Sequence, residues 1–134
     1  MGLGRRRQGP DRLCGPPRLI ELPPAWAEGE ALLPGPADLC GALLIVRLRD
    51  HTMPDVPGPL LGLVRQIVSA HATIRLPFRL RLRRAATPGP LPILYAELRA
   101  QAGRRLRAGD WLTTQRVAWH PGQWAVVPMD RIIA

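Results

Sequence analysis

Apolar and charged residues alternate at every second position in residues 72–84, "ATIRLPFRLRLRR". The apolar set is Ile74, Leu76, Phe78, Leu80 and Leu82, and the cationic set is Arg75, Arg79, Arg81 and Arg83. Each set can occupy one face only in an extended chain, because successive side chains of a strand point to opposite sides. The pattern therefore predicts a half-buried strand with an outward row of arginines. Pro77 has no N–H group, which favours an edge strand or a bulge.

The chain after residue 37 is a series of extended runs separated by turn residues. The runs are "ADLCGALLIVRLRD", "PLLGLVRQIVSA", "LPILYAELRAQ", a short strand inside "AGRRLRAGD", and a hairpin in which "WLTTQRVAW" and "QWAVVPMDRII" flank "HPG". A helix over residues 91–109 is the alternative for the third run, but the alternation and Gly103 favour a strand. The spacing of about ten residues predicts an all-β fold, a small antiparallel β-sandwich of about six to eight short strands.

The first 37 residues differ in composition from the rest of the chain. They contain "GPP", "LPP" and "LPGP", and proline disfavours both helix and sheet. We therefore expect residues 1–37 to form a semi-rigid N-terminal tether and residues 38–134 to form the sandwich domain. Ile20, Leu22 and Trp26 are the apolar residues expected to pack part of the tether onto the domain.

Charge narrows the class of partner. The chain has 19 basic and 10 acidic residues, a net charge of +9, and every basic residue is arginine. Such an excess favours an acidic protein, an anionic membrane surface or nucleic acid as the partner. The longest apolar run, residues 39–46, is far shorter than the roughly 20 residues of a membrane-spanning helix.

The sequence shows no arrangement typical of a metal site or an active site. Cys14 and Cys40 have no nearby cysteine or histidine at metal-binding spacing, and His51, His71 and His120 lie far apart. No nucleophile has a histidine at suggestive spacing, and no glycine-rich loop precedes a helix. We therefore expect no catalytic residue, no metal and no cofactor.

Two groups of residues are candidates for binding a partner. The first is the row Arg75, Arg79, Arg81 and Arg83, extended by Arg47, Arg49 and Arg99, which could attract acidic groups. Its simpler interpretation is a solvated face that discourages edge pairing. The second is the pair Trp119 and Trp124 beside the "HPG" turn, since exposed tryptophan is enriched in binding hot spots. Trp111 and Cys40 are expected to be buried in the core.

Four segments, in order and with compatible gaps, carry a family resemblance over residues 38–134. They are "LLIVRLRDHTMPDVPGPLLG", "IRLPFRLRL", "YAELRAQAGRRLRAGDWLTTQ" and "AVVPMDRI". Together they resemble the pilotin and lipoprotein chaperone family of type III secretion systems, the YscW and YbaY group. The resemblance implies a β-sandwich lipoprotein on the periplasmic face of the outer membrane, and we expect the protein to be a monomer. Its partner would be the secretin subunit, whose localisation and assembly it would assist.

The same resemblance makes Cys14 the candidate lipid anchor to the inner leaflet of the outer membrane. The alternative for Cys14 is an ordinary thiol, because Leu13 replaces the small residue expected before a lipidated cysteine and no apolar signal segment precedes it. A second function remains open: a basic small β-barrel that binds nucleic acid, with arginines on phosphates and tryptophans on bases. The inward direction of Phe78 argues against it, and we expect no nucleic-acid partner.

Overall fold

The computed structural model describes residues 25–51, 58–83 and 91–133, and it confirms the all-β prediction. These residues contain no helix, and hence none long and apolar enough to cross a membrane. The seven strands are β1 (Trp26–Asp50), β2 (Leu60–Arg81), β3 (Pro92–Arg99), β4 (Trp111–Leu112), β5 (Val117–Ala118), β6 (Ala125–Pro128) and β7 (Asp130–Arg131). The expected short strands are found only after β2, since β1 and β2 have 25 and 22 residues.

The two long strands form one antiparallel ribbon that bends back on itself. β1 pairs with β2 from Trp26 opposite Arg81 to Arg49 opposite Leu60. Register shifts interrupt the pairing between residues 32 and 42, and Ala72 opposite them has a left-handed φ of 49°. The bend brings the ends of β2 together, where Gly62 and Leu82 form a bridge.

The bend divides the sheet into two layers. The small layer contains residues 26–33 of β1, residues 75–81 of β2, and β6, which pairs with β1 in parallel. The large layer contains the other halves of β1 and β2, with β3, β4, β5 and β7 added beyond β1. Inner-face residues of both layers belong to one hydrophobic cluster, which is the core of a sandwich.

The strand predicted from residues 72–84 has the expected orientation over most of its length. Leu76, Phe78, Leu80 and Leu82 are buried in the core, and the four arginines are exposed. Ile74 is the exception, at 39% exposure, because it lies at the bend, where none of the described strands covers it. Pro77 lies on an edge strand, as predicted, since β2 is the end of the sheet order.

β1 extends across the position at which the sequence separates tether from domain. Residues 26–37 belong to this strand, and Ala27, Ala31 and Leu33 are core residues. Pro34 and Pro36 fall in the unpaired stretch at the bend, where a missing N–H costs no ladder hydrogen bond. Residues 1–24, with Cys14, Ile20 and Leu22, lie outside the described residues.

Three expectations about local structure are wrong. Cys40 is exposed, because it lies at the bend and not under a second layer. Residues 100–110 contain no strand and turn instead at two glycines with left-handed φ, Gly103 and Gly109. The runs around "HPG" do not form a hairpin: a turn closes at His120 and Gln123, but β5 pairs with β3 and β6 with β1. This turn connects the two layers.

Candidate partner-binding face

The outer surface of the small layer collects aromatic and charged side chains from three elements. Alternation along β1 and β2 places their apolar residues in the core and their large polar residues outside. We call this surface the Trp/Arg face; it consists of Trp26, Glu28, Glu30, Arg75, Arg79, Arg81, Trp124 and Val126. Trp124, Val126 and Trp26 are 55%, 42% and 38% exposed, which is unusual for large apolar side chains on a small domain.

Trp26 is the centre of one half of the Trp/Arg face. The guanidinium carbon of Arg79 lies 4.0 Å from the centroid of the Trp26 ring, and that of Arg81 lies 5.7 Å away. Both are cation–π contacts. Glu28, directly opposite Arg79 across the ladder, forms an ion pair with it, with Nε of Arg79 and Oε2 of Glu28 3.3 Å apart. The arginine row is therefore held in place by its neighbours on β1.

Glu30 is the centre of the other half. Its carboxylate accepts a hydrogen bond from Arg75 of β2 and a second from the indole Nε1 of Trp124, at 3.3 Å. The Glu30 side chain is only 13% exposed, whereas that of Arg75 is 64% exposed. Glu30 thus connects β2 to the turn before β6 and orients the indole of Trp124.

A shallow depression of about 340 Å³ adjoins Trp124. It is lined by Glu28, Gln66, Pro77, Phe78, Arg79 and Trp124. Within this lining, Gln66 donates its side-chain N–H to the carbonyl oxygen of Pro77 at 2.9 Å. Exposed tryptophan and arginine around such a depression are typical of a protein–protein contact.

The structure brings most of the predicted site residues together. Arg75, Arg79 and Arg81 share the Trp/Arg face with Trp124, and Arg83 is exposed just beyond the end of β2. Trp119 is not an exposed anchor: it is 2% exposed and belongs to the core. Its main-chain N–H donates to Pro92, which directs the ring inward with Trp111. Cys14 lies outside the described residues.

Arg47, Arg49 and Arg99 do not continue the arginine row. They lie on the large layer, where Arg47 and Arg99 donate to the carboxylate of Glu97 at 2.8 and 2.7 Å. Burial raises the pKa of Glu97, but the hydrogen bonds and charges of the two arginines outweigh this effect and leave the pKa below its ordinary value of 4.5. Arg49 donates to the carbonyl oxygen of Gly58. This cluster stabilises the fold.

Trp26, Glu28 and Glu30 are site residues that the sequence analysis assigned to the tether. A signal for them is present, since "WAEGEA" alternates large polar or aromatic residues with alanine and glycine. Gly29 belongs to the small set, and a Cβ atom there would lie 2.2 Å from the carbonyl oxygen of Ala125. Glycine at this position allows β6, and with it Trp124, to approach β1.

Among the described residues, no group of three histidine, cysteine or acidic side chains could hold a metal ion. Two of the three histidines form separate side-chain pairs: His51 hydrogen-bonds to Tyr95 at 3.0 Å, and His71 contacts Asp38 at 2.8 Å. The chemistry that the Trp/Arg face offers is recognition by stacking, ion pairing and apolar contact.

Comparison with known proteins found a similar fold among solved structures and no match among family profiles or curated sequences. The fold is similar to that of a solved structure described as an alternative pilotin from the type II secretion system of Vibrio cholerae. The TM-score is 0.59 at 20% sequence identity, over 80% of this chain and 94% of that one. The chain therefore has a pilotin-like fold.

Proposed function

We propose that this protein is a pilotin-like chaperone, which binds a secretin subunit through the Trp/Arg face and assists its localisation and assembly in the outer membrane. The observation that carries the proposal is the combination of a pilotin-like fold with two exposed tryptophans on an ordered arginine surface. A chaperone of this kind acts by stoichiometric binding, which hides an aggregation-prone surface and needs no catalytic residue.

The side chains of the Trp/Arg face predict the composition of the secretin segment that it would bind. Trp26, Trp124 and Val126 offer exposed apolar area, and Arg75, Arg79 and Arg81 outnumber Glu28 and Glu30. A segment with apolar anchors flanked by acidic residues would complement both properties. Arginine suits this task because its planar group pairs with carboxylates while it stacks on an aromatic ring.

The type of secretion system is a finer proposal. The four sequence segments favour a type III secretin, whereas the similar solved structure is a pilotin of a type II system. We assign the partner to a type III system on the strength of those segments. We further propose that Cys14 carries the lipid anchor and that the domain lies at the periplasmic face of the outer membrane.

The nucleic-acid alternative is weakened by the same contacts. Glu28 and Glu30 occupy donors of Arg79 and Arg75, and each carboxylate would repel a phosphate brought to its arginine. The Trp26 ring is already covered by Arg79, so it offers less surface for stacking a base.

The test is a deletion strain in which the amount of secretin in the outer membrane is measured. We expect the secretin to leave the outer-membrane fraction on deletion and to return with the wild-type gene. Cys14→Ser should fail to restore it if the anchor is correct, and Arg105→Glu, on the exposed loop after β3, should restore it fully. An unchanged amount and location of secretin in the deletion strain would overturn the proposed function.

A further inference from the structure

The first half of β2 has an open edge. β1 pairs with one side of β2 throughout, and among the described residues the other side has only the bridge between Gly62 and Leu82. Beyond this bridge no main-chain pairing joins the two described halves of β2, and the side chain of Gln66 connects them by its hydrogen bond to the carbonyl oxygen of Pro77. Residues 63–69 therefore form a sheet edge beside which the described part of the chain places no further strand.

The direction of the main-chain groups along this edge follows from one hydrogen bond. Leu61 accepts from the main-chain N–H of Arg83 at 2.9 Å, so its carbonyl points away from β1. Main-chain groups of successive residues in an antiparallel ladder alternate between the two neighbours. The bridge between Gly62 and Leu82 directs the main-chain N–H of Leu63 to the carbonyl oxygen of Arg81. The N–H and C=O groups of Arg65 and Ile67 point to the same side and have no main-chain partner among the described residues.

The edge along the second half of β2 is blocked, in contrast. Pro77 has no N–H group, and its carbonyl oxygen already accepts the side chain of Gln66. Proteins commonly protect exposed edges with proline and with polar side chains that occupy main-chain groups. Residues 63–69 carry no proline, so one half of β2 is protected and the other is open.

The side chains on the open half indicate what could pair there. Leu63 and Ile67 point outward and are 41% and 63% exposed, with the exposed cation Arg65 between them. On the other face, Val64 and Val68 are half-buried against the core. On the outer face, a strand added to this edge would therefore lie beside Leu63, Arg65 and Ile67, which are apolar, cationic and apolar in turn.

We infer that residues 63–69 of β2 form a strand-addition site for an extended segment of a partner protein with an acidic residue between two apolar ones at alternate positions. Main-chain hydrogen bonds would provide the pairing, and the carboxylate opposite Arg65 would set the register. A second copy of this chain is a poorer occupant, because antiparallel pairing centred on this site would place Arg65 opposite Arg65. The site adjoins the Trp/Arg face at Gln66, which lines the depression beside Trp124. The inference does not depend on the identity of the secretion system.

The experiment uses the full chain and a short synthetic peptide, Thr-Val-Thr-Glu-Thr-Val-Thr. Amide NMR shifts and hydrogen exchange are followed on titration. We expect the amides of Arg65 and Ile67 to shift and to exchange more slowly. The same peptide N-methylated on the valines and the glutamate should cause no such change. Arg65→Glu should weaken binding of the peptide by about fivefold and strengthen binding of its lysine counterpart, whereas Arg105→Glu should leave both unchanged.

Several results would overturn the inference. These are unchanged amides at the open edge, equal effects of the peptide and its N-methylated form, or shifts confined to the Trp/Arg face. Slower exchange of the same amides with rising protein concentration, in the absence of peptide, would identify a second copy as the occupant and contradict the assignment.

Discussion

Glu30 and Trp124 are 94 residues apart in the sequence, yet the Trp124 indole donates its Nε1–H to the Glu30 carboxylate at 3.3 Å. Arg75 donates to the same carboxylate, so one acidic side chain connects the first strand, the second strand and the turn before β6. The contact defines the Trp/Arg face as a unit, because it fixes the ring plane of its most exposed aromatic residue.

Removing the Glu30 carboxylate should loosen Trp124 without unfolding the domain. In Glu30→Gln we expect the Trp124 indole N–H resonance to shift, since a weaker acceptor replaces a charged one, and partner affinity to fall by about threefold to tenfold. Glu28→Gln is the matched control, because the Trp124 indole donates to Glu30 and not to Glu28, and it should leave that resonance in place. An unmoved Trp124 resonance in Glu30→Gln would show that the contact does not orient the ring.

The two tryptophans beside the "HPG" turn should respond to substitution in opposite ways. Trp119 is buried, and Trp119→Ala should destabilise the fold by about 3–5 kcal/mol through loss of apolar contacts and the cavity left behind. Trp124→Ala should change stability by less than about 0.5 kcal/mol, while it weakens partner binding. Chemical denaturation and binding measured on the same samples would check this, and equal losses of stability would contradict the placement of Trp119.

Gly29 should tolerate no larger side chain. Its Cβ position is 2.2 Å from the Ala125 carbonyl oxygen, so Gly29→Ala forces β6 away from β1 and should cost about 1–3 kcal/mol. Gly35 at the bend has no atom within 4 Å of the corresponding position, and Gly35→Ala should be close to neutral. Denaturant unfolding of both variants gives the comparison. Similar stabilities of the two would show that β6 does not need this close approach.

The Glu97 cluster should make stability depend on pH below about 4.5. The pKa of Glu97 is lower in the folded protein than its ordinary value of 4.5, so the unfolded chain binds the proton more tightly. Its contribution to the free energy of unfolding is present above about pH 4.5 and is lost as the pH falls through the folded pKa.

Glu97→Gln should remove this part of the pH dependence. We expect the variant to be less stable at pH 7 by about 1–3 kcal/mol, because Arg47 and Arg99 lose a charged acceptor. The difference from the wild type should shrink on acidification, as measured by denaturation at several pH values. A difference that stays constant from neutral to acidic pH would contradict the lowered pKa.

The sequence predicts the strands whose alternation is local and uninterrupted. Leu76, Phe78 and Leu80 point inward as expected, because a period of two leaves only one way to bury them. The start of β1 escapes prediction because Pro34 and Pro36 suggest a tether, whereas in the fold they lie at the bend of a long ribbon. The bend itself depends on contacts between residues that are distant in the sequence, such as the bridge of Gly62 with Leu82. The local pattern of apolar and polar residues does not predict such contacts.

The residues of the candidate site were also predictable from the sequence only in part. The arginine row follows from alternation, so Arg75, Arg79 and Arg81 could be placed on one face from sequence alone. Trp119 and Trp124 could not be told apart, since both lie beside one turn and only strand pairing sends one inward and the other outward. Their assumed hairpin is absent because the turn connects two layers.

The most direct test of the account is the affinity of the full-length protein for the C-terminal region of the secretin, measured by isothermal titration calorimetry. We predict saturable one-to-one binding that the double variant Trp124→Ala with Arg79→Glu weakens by about a hundredfold and that Arg105→Glu leaves unchanged. Absence of binding by the wild type, or wild-type affinity in the double variant, would contradict the assignment of the Trp/Arg face as the secretin-binding surface.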